Sequence, residues 1–181
     1  MTPALRSAPN WRRTRHAIAE LPAIFWVLMV LIALPMVDFA TTYYRYTFVV
    51  EAAQDAAHAA AMAKSFSADV SATSPSASHA ARAAATYTLS RFAHVKLDNV
   101  TTYIVITNIA SGQVTYRTSP LAVAADTSAN LYEIQVNCRA FVDPLFLVNI
   151  PLFQGIPGLS EPALLTASAK RFAESPQGLN Q

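Results

Sequence analysis

The residues of this 181-residue chain with chemistry to offer are four histidines, one cysteine and eleven carboxylates. Their spacing does not assemble a catalyst. His16, His58, His79 and His94 fall in separate segments. None belongs to an HExxH pair, in which two imidazoles one helical turn apart hold zinc. No GxSxG elbow, phosphate-binding loop or dinucleotide fingerprint is present, and four glycines leave no room for a Gly-rich loop. A single cysteine excludes an intramolecular disulfide framework and a cysteine-based zinc site. Glu51/Asp55 and Asp126/Glu133 come nearest to paired carboxylates, and they read as ordinary exposed charges. Cys138 alternates with Val136 and Ala140, which favours a buried, inert thiol; an exposed one could pair between molecules in an oxidising compartment. The expectation is a protein that is not an enzyme and carries no metal or cofactor.

Glu20 is different, because it stands at the head of an apolar run. Leu21 to Val37 is a stretch of 17 residues without a charge, closed by Asp38. Ten of them are Leu, Ile, Val or Phe, which together favour insertion into a bilayer by about 3 to 6 kcal/mol. The run alone covers about 26 Å of a roughly 30 Å hydrocarbon core. Extension to Tyr43 and Tyr44 completes a span, with Trp26 nearer the other end. Tyrosine suits the headgroup level, where its ring is apolar and its hydroxyl wet. A buried core helix is the alternative on length alone.

Composition agrees with a membrane reading. The chain is 53% hydrophobic and 13% charged, with mean hydropathy +0.28; soluble domains carry about a quarter charged residues. Charge is also unevenly placed. Arg6, Arg12, Arg13 and Arg15 against Glu20 give residues 1–20 a net +3, while the rest holds nine Lys/Arg against ten Asp/Glu. The basic tail is therefore a topology signal rather than a nucleic-acid-binding face, with the N-terminus cytoplasmic and the body exported. Cleavage as a secretory signal after Ala40 would put Asp38 at −3, where a small residue is needed, so a retained anchor is expected.

Beyond the span the apolar material is alanine. Residues 51–85 hold sixteen, and alanine has the highest helix propensity. The helix is expected to continue outward to about residue 68, some 78 Å from residue 17 at 1.5 Å per residue. Phe48, Ala52, Ala56 and Ala59 would form a thin stripe whose small side chains let another helix approach closely. A Ser/Thr/Pro stretch breaks it, and a second helix is predicted over Ala80–His94, burying Ala84, Tyr87, Leu89, Phe92 and Val95. The period then changes to that of strands: Asp98–Ile106, Val114–Thr118, Leu131–Val142 and Ala163–Phe172, the last after a Pro-rich 144–162 loop. The fold class is α+β, a long N-terminal transmembrane helix continuing into an Ala-rich helix and then a small antiparallel sheet. Its parts are a basic cytoplasmic tail (1–20), a transmembrane helix (21–44), an Ala-rich extracytoplasmic helix (45–70), a linker (71–78), a small α+β periplasmic domain (79–174) and a flexible tail (175–181).

This order of features, with Ala19-Glu20-Leu21-Pro22, Asp38-Phe39-Ala40-Thr41-Thr42-Tyr43-Tyr44 and the alanine-rich Glu51–Ala60, resembles the TadE/TadG-like family. The ending, Ile150-Pro151-Leu152-Phe153 and then Leu165–Glu174, is similar as well. These are pseudopilin-like proteins of the tight-adherence (Flp, type IVc) pilus machinery. The resemblance implies a bacterial inner-membrane protein that supports pilus assembly or a related secretion system. Its partners would be other pseudopilin-like or pilin subunits, the inner-membrane pilus platform and the lipid bilayer, with no nucleic acid. It gives Glu20 a role in aligning neighbouring helices, since a carboxylate at a membrane edge is costly unless paired. It also implies a prepilin-peptidase site between Arg15 and His16. The family carries glycine where this chain has Arg15, so processing and an uncleaved anchor both stay open. A bitopic inner-membrane anchor with a periplasmic binding domain outside any pilus machine is the other reading.

Overall fold

The computed structural model describes residues 11–67, 74–146 and 151–181, with the backbone alone for 11–20 and 152. It divides into two compact units, Met1–Val37 and Asp38–Gln181. Helix α1, Trp11–Ala61, supplies the described part of the first unit and continues into the second. Pro22 and Pro35 lie inside it without ending it.

In the first unit every residue from Leu21 to Val30 is exposed, and ten consecutive helical positions cover all sides of the helix. A helix apolar all round belongs in a large core or a membrane. Here no core covers it. Among the described residues this is the one helix long and apolar enough to cross a membrane.

The second unit is an α+β domain. Helix α2 spans Ala77–Ser90, and Ser76 caps it by accepting a hydrogen bond from His79 N. Strands β1 (Val95–Asn108), β2 (Val114–Arg117), β3 (Asn130–Val142) and β4 (Ala163–Phe172) form one antiparallel sheet in the order β2-β1-β3-β4. Ile104 stands opposite Ile134, and the register slips between Leu97 and Asn99. Alternation along β3 turns Tyr132, Ile134, Val136, Cys138, Ala140 and Val142 inward. The expected architecture, one membrane-type helix and then a small antiparallel sheet, is the one observed.

The alanines of α1 complete this core. Val49, Ala52, Ala53, Ala56, Ala57 and Ala60 share one cluster with Ala77, Ala81, Ala85 and Leu89 of α2 and with the inner face of the sheet. Phe48 stacks on Phe92 at 3.7 Å between ring centroids, and Thr88 Oγ1 donates to Asp55 Oδ2 at 2.7 Å. The alanine face of α1 is therefore used within the chain, in the domain's own core.

Helix α2 runs from Ala77 to Ser90 rather than over Ala80–His94, because Ser76 caps it earlier, and three further details differ from expectation. Helix α1 stops at Ala61 rather than near residue 68, because Glu174 N donates to the Ala61 carbonyl and Phe66 turns inward. Tyr87 is 70% exposed, since α2 buries its small face through Ala77, Ala81 and Ala85. Residues 175–181 are no loose tail. They contain a 3₁₀ turn, Pro176–Asn180, with Leu179 buried, and Gln181 O accepts from Phe66 N and Ser67 N. Gly178 passes so close to Lys64 that a Cβ would sit 1.7 Å from the carbonyl oxygen, leaving room for glycine alone.

Candidate functional site

Helical spacing places Asp38, Thr41, Thr42 and Arg45 along one face of α1. This face is polar where the preceding run is wholly apolar, and it meets the segment Asp143–Phe146 that leaves β3. Asp38 is fully buried, with 0% of its surface exposed. Its Oδ1 accepts from Leu145 N and from Phe146 N, each at 3.0 Å. Two turns further on, Arg45 Nη1 donates to the Asp143 carbonyl. Asp143 is held from its other side as well: Lys96 Nζ meets its Oδ2 at 3.0 Å, and its N–H donates to His94 O at 2.9 Å. His94 takes a left-handed backbone, φ 64°, to present that carbonyl.

The loop has left the sheet ladder at this point, so its N–H groups need another acceptor. A carboxyl oxygen is a strong one, worth about 1.5–3 kcal/mol per bond. Asp38 therefore works as a clamp between α1 and the chain beyond β3. Its second oxygen, Oδ2, and Thr42 Oγ1 are both buried with no hydrogen-bond partner among the described residues. Gly158, at φ 87°, lies against Thr42; a Cβ there would meet Oγ1 at 3.5 Å. Around the clamp the side chains are large and outward. Phe39, Tyr43, Tyr44, Leu145 and Phe146 are all exposed, and Tyr44 meets Phe48 edge-on at 5.0 Å.

The residues singled out from sequence are dispersed. Arg12, Arg13, Arg15, His16 and Glu20 fall within α1, and their side chains lie outside the described residues, as does Arg6 altogether. Trp26, Tyr43 and Tyr44 are exposed on α1. Asp55 is engaged by Thr88 rather than by Glu51. Asp126 binds its own turn, accepting from Ser128 N at 3.0 Å and Ser128 Oγ at 2.6 Å. Those bonds hold its carboxyl below the usual range. Cys138 is buried, and burial pushes its thiol up to about 11. Among the described residues no group of three His, Cys, Asp or Glu could hold a metal ion. A cleft of about 190 Å³ beside Leu121–Ala124 contains Arg117; it is smaller than the roughly 300–1,000 Å³ of small-molecule sites.

In the sequence, Asp38 marks only the end of the apolar run. The signal available was a lone carboxylate at a membrane edge, a place where ionisable groups carry functional weight by default. Its partners, 107 and 108 residues away, are main-chain N–H groups that no motif announces. No family model, curated protein or solved structure matches this chain.

Proposed function

We propose that this chain is a single-pass, pseudopilin-like component of a bacterial inner membrane that supports assembly of a tight-adherence (Flp/type IVc) pilus or a related secretion system. In this reading Leu21–Tyr44 crosses the bilayer, the arginine-rich tail stays in the cytoplasm and the α+β domain works in the periplasm. The observation that carries the anchor is the all-round exposure of Leu21–Val30, which water would penalise and lipid accommodates. The pilus role rests on the TadE/TadG-like order of features around Glu20 and Asp38–Tyr44.

The fold narrows how partners would be met. Because the alanine face of α1 is already buried in the domain core, lateral contact with pilin-type helices falls to the Leu21–Val37 stretch and to Glu20. Contacts in the periplasm fall to the outer surface of the domain. Clean deletion should abolish surface pili while the major pilin is still made. Normal piliation in the deletion strain would overturn the pilus role and leave a bitopic anchor with an exported binding domain. Glu20→Ala should weaken co-purification with partner pseudopilins without preventing insertion, and unchanged co-purification would remove Glu20 from the assembly role.

A further inference from the structure

We infer that the loop tip Leu145–Phe146 is a second membrane contact, which Asp38 holds at the mouth of the span. The inference depends on Leu21–Val37 being membrane-embedded. Asp38 directly succeeds Val37, so it stands at the end of the apolar run by covalent connection alone. Both N–H groups of the tip lie 3.0 Å from its Oδ1, which puts the two residues beside the point where the helix leaves the hydrocarbon.

The tip is not buried by this clamp. Leu145 and Phe146 keep 43% and 45% of their surface exposed, beside an α1 turn that exposes Phe39, Tyr43 and Tyr44. The clamp satisfies two main-chain N–H groups, but leaving the two large apolar side chains outward brings no gain in water. At a bilayer surface it does, since Leu and Phe gain from the acyl boundary and Tyr from the headgroups. The fitting occupant is therefore lipid, continuous with the lipid around the span. A docked protein would also cover the tip, and the test separates the two because it contains no other protein.

The test uses the full chain in vesicles of phosphatidylethanolamine and phosphatidylglycerol. A nitroxide is placed at Met29→Cys, at Phe146→Cys or at Ser111→Cys; Cys138 is buried and stays unlabelled. Ser111 lies just past the far end of β1, about 45 Å of strand away from Val95. Relaxation by oxygen relative to a water-soluble nickel complex should be severalfold higher at 146 than at 111, approaching the value at 29. Lipid values at 29 with aqueous values at 146 would overturn the second contact and leave the anchor intact. Aqueous values at both would overturn the two together. Leu145→Cys repeats the reading should Phe146→Cys fold poorly. Asp38→Ala should lower the value at 146 towards that at 111 and leave 29 unchanged; an unaltered value at 146 would show that Asp38 does not hold the tip.

Discussion

One helix carries two apolar stretches that meet opposite fates. Leu21–Val30 is built mostly from large side chains and stands uncovered, whereas Val49–Ala60 is rich in alanine and is buried on its inner face. Hydropathy ranks the first as the greasier, yet the second makes the protein's own core. Size explains the inversion. Alanine lets α2 and the sheet approach close enough to exclude water, and bulky residues on all sides leave no face for a compact domain to spare. Alanine thus serves internal packing, and the bulky Leu21–Val30 stretch is left uncovered by the domain.

The sharpest way to break this contrast is to charge the uncovered stretch. Leu28→Lys with Ile32→Lys should cost insertion about 5–7 kcal/mol, more than the roughly 3–6 kcal/mol that the whole run supplies. The protein should then leave the alkaline-washed membrane fraction while the domain's melting temperature in detergent is unchanged. Retention of the double variant would mean that the run is not the anchor.

Asp38 stands directly after the first stretch. Asp38→Ala strips the acceptor from two N–H groups and should destabilise the domain by about 2–4 kcal/mol. Asp38→Asn keeps an acceptor at the Oδ1 position and replaces only Oδ2, which has no partner among the described residues, so its thermal shift should be less than half as large. Equal shifts for the two variants would show that charge, not the paired N–H bonds, is what matters there.

The alanine stretch predicts the reverse of the lysine result. Ala56→Leu makes the helix more apolar, yet it overpacks a site with no free surface and should cost about 1–3 kcal/mol of domain stability. Membrane retention should stay as it was. A neutral or stabilising Ala56→Leu would mean that the interface with α2 is loose.

The smallest effect is expected at Cys138. Burial raises its thiol from 9.0 to about 11. An unfolded chain ionises first as pH rises, so the thiol's contribution to stability is full below about 9 and is lost as pH climbs towards 11. Denaturation midpoints over that window should fall more steeply for the native chain than for Cys138→Ala. Parallel slopes would place the thiol in contact with water.

Legibility in the sequence tracks the strength of local pattern. Strand β4 is readable to its ends at Ala163 and Phe172, and the alternation of β3 names its buried face, Cys138 included. The inner face of α2 is not, because size misleads when a helix packs through alanine: Tyr87 has the look of core and Ala81 does not. The last seven residues carry no periodicity, and their place is fixed by Leu179 and by main-chain bonds to residues 66 and 67. The Asp38 clamp is invisible for the same reason, since its partners are backbone groups brought close only by the fold.

In the proposed function Leu21–Val37 stays in the protein as its lipid-embedded anchor. Intact mass of the protein recovered from alkaline-washed membranes tests it most directly. The expected result is a membrane-retained species whose mass includes residues 21–37. A species that begins beyond Val37 and partitions into the soluble fraction would contradict it.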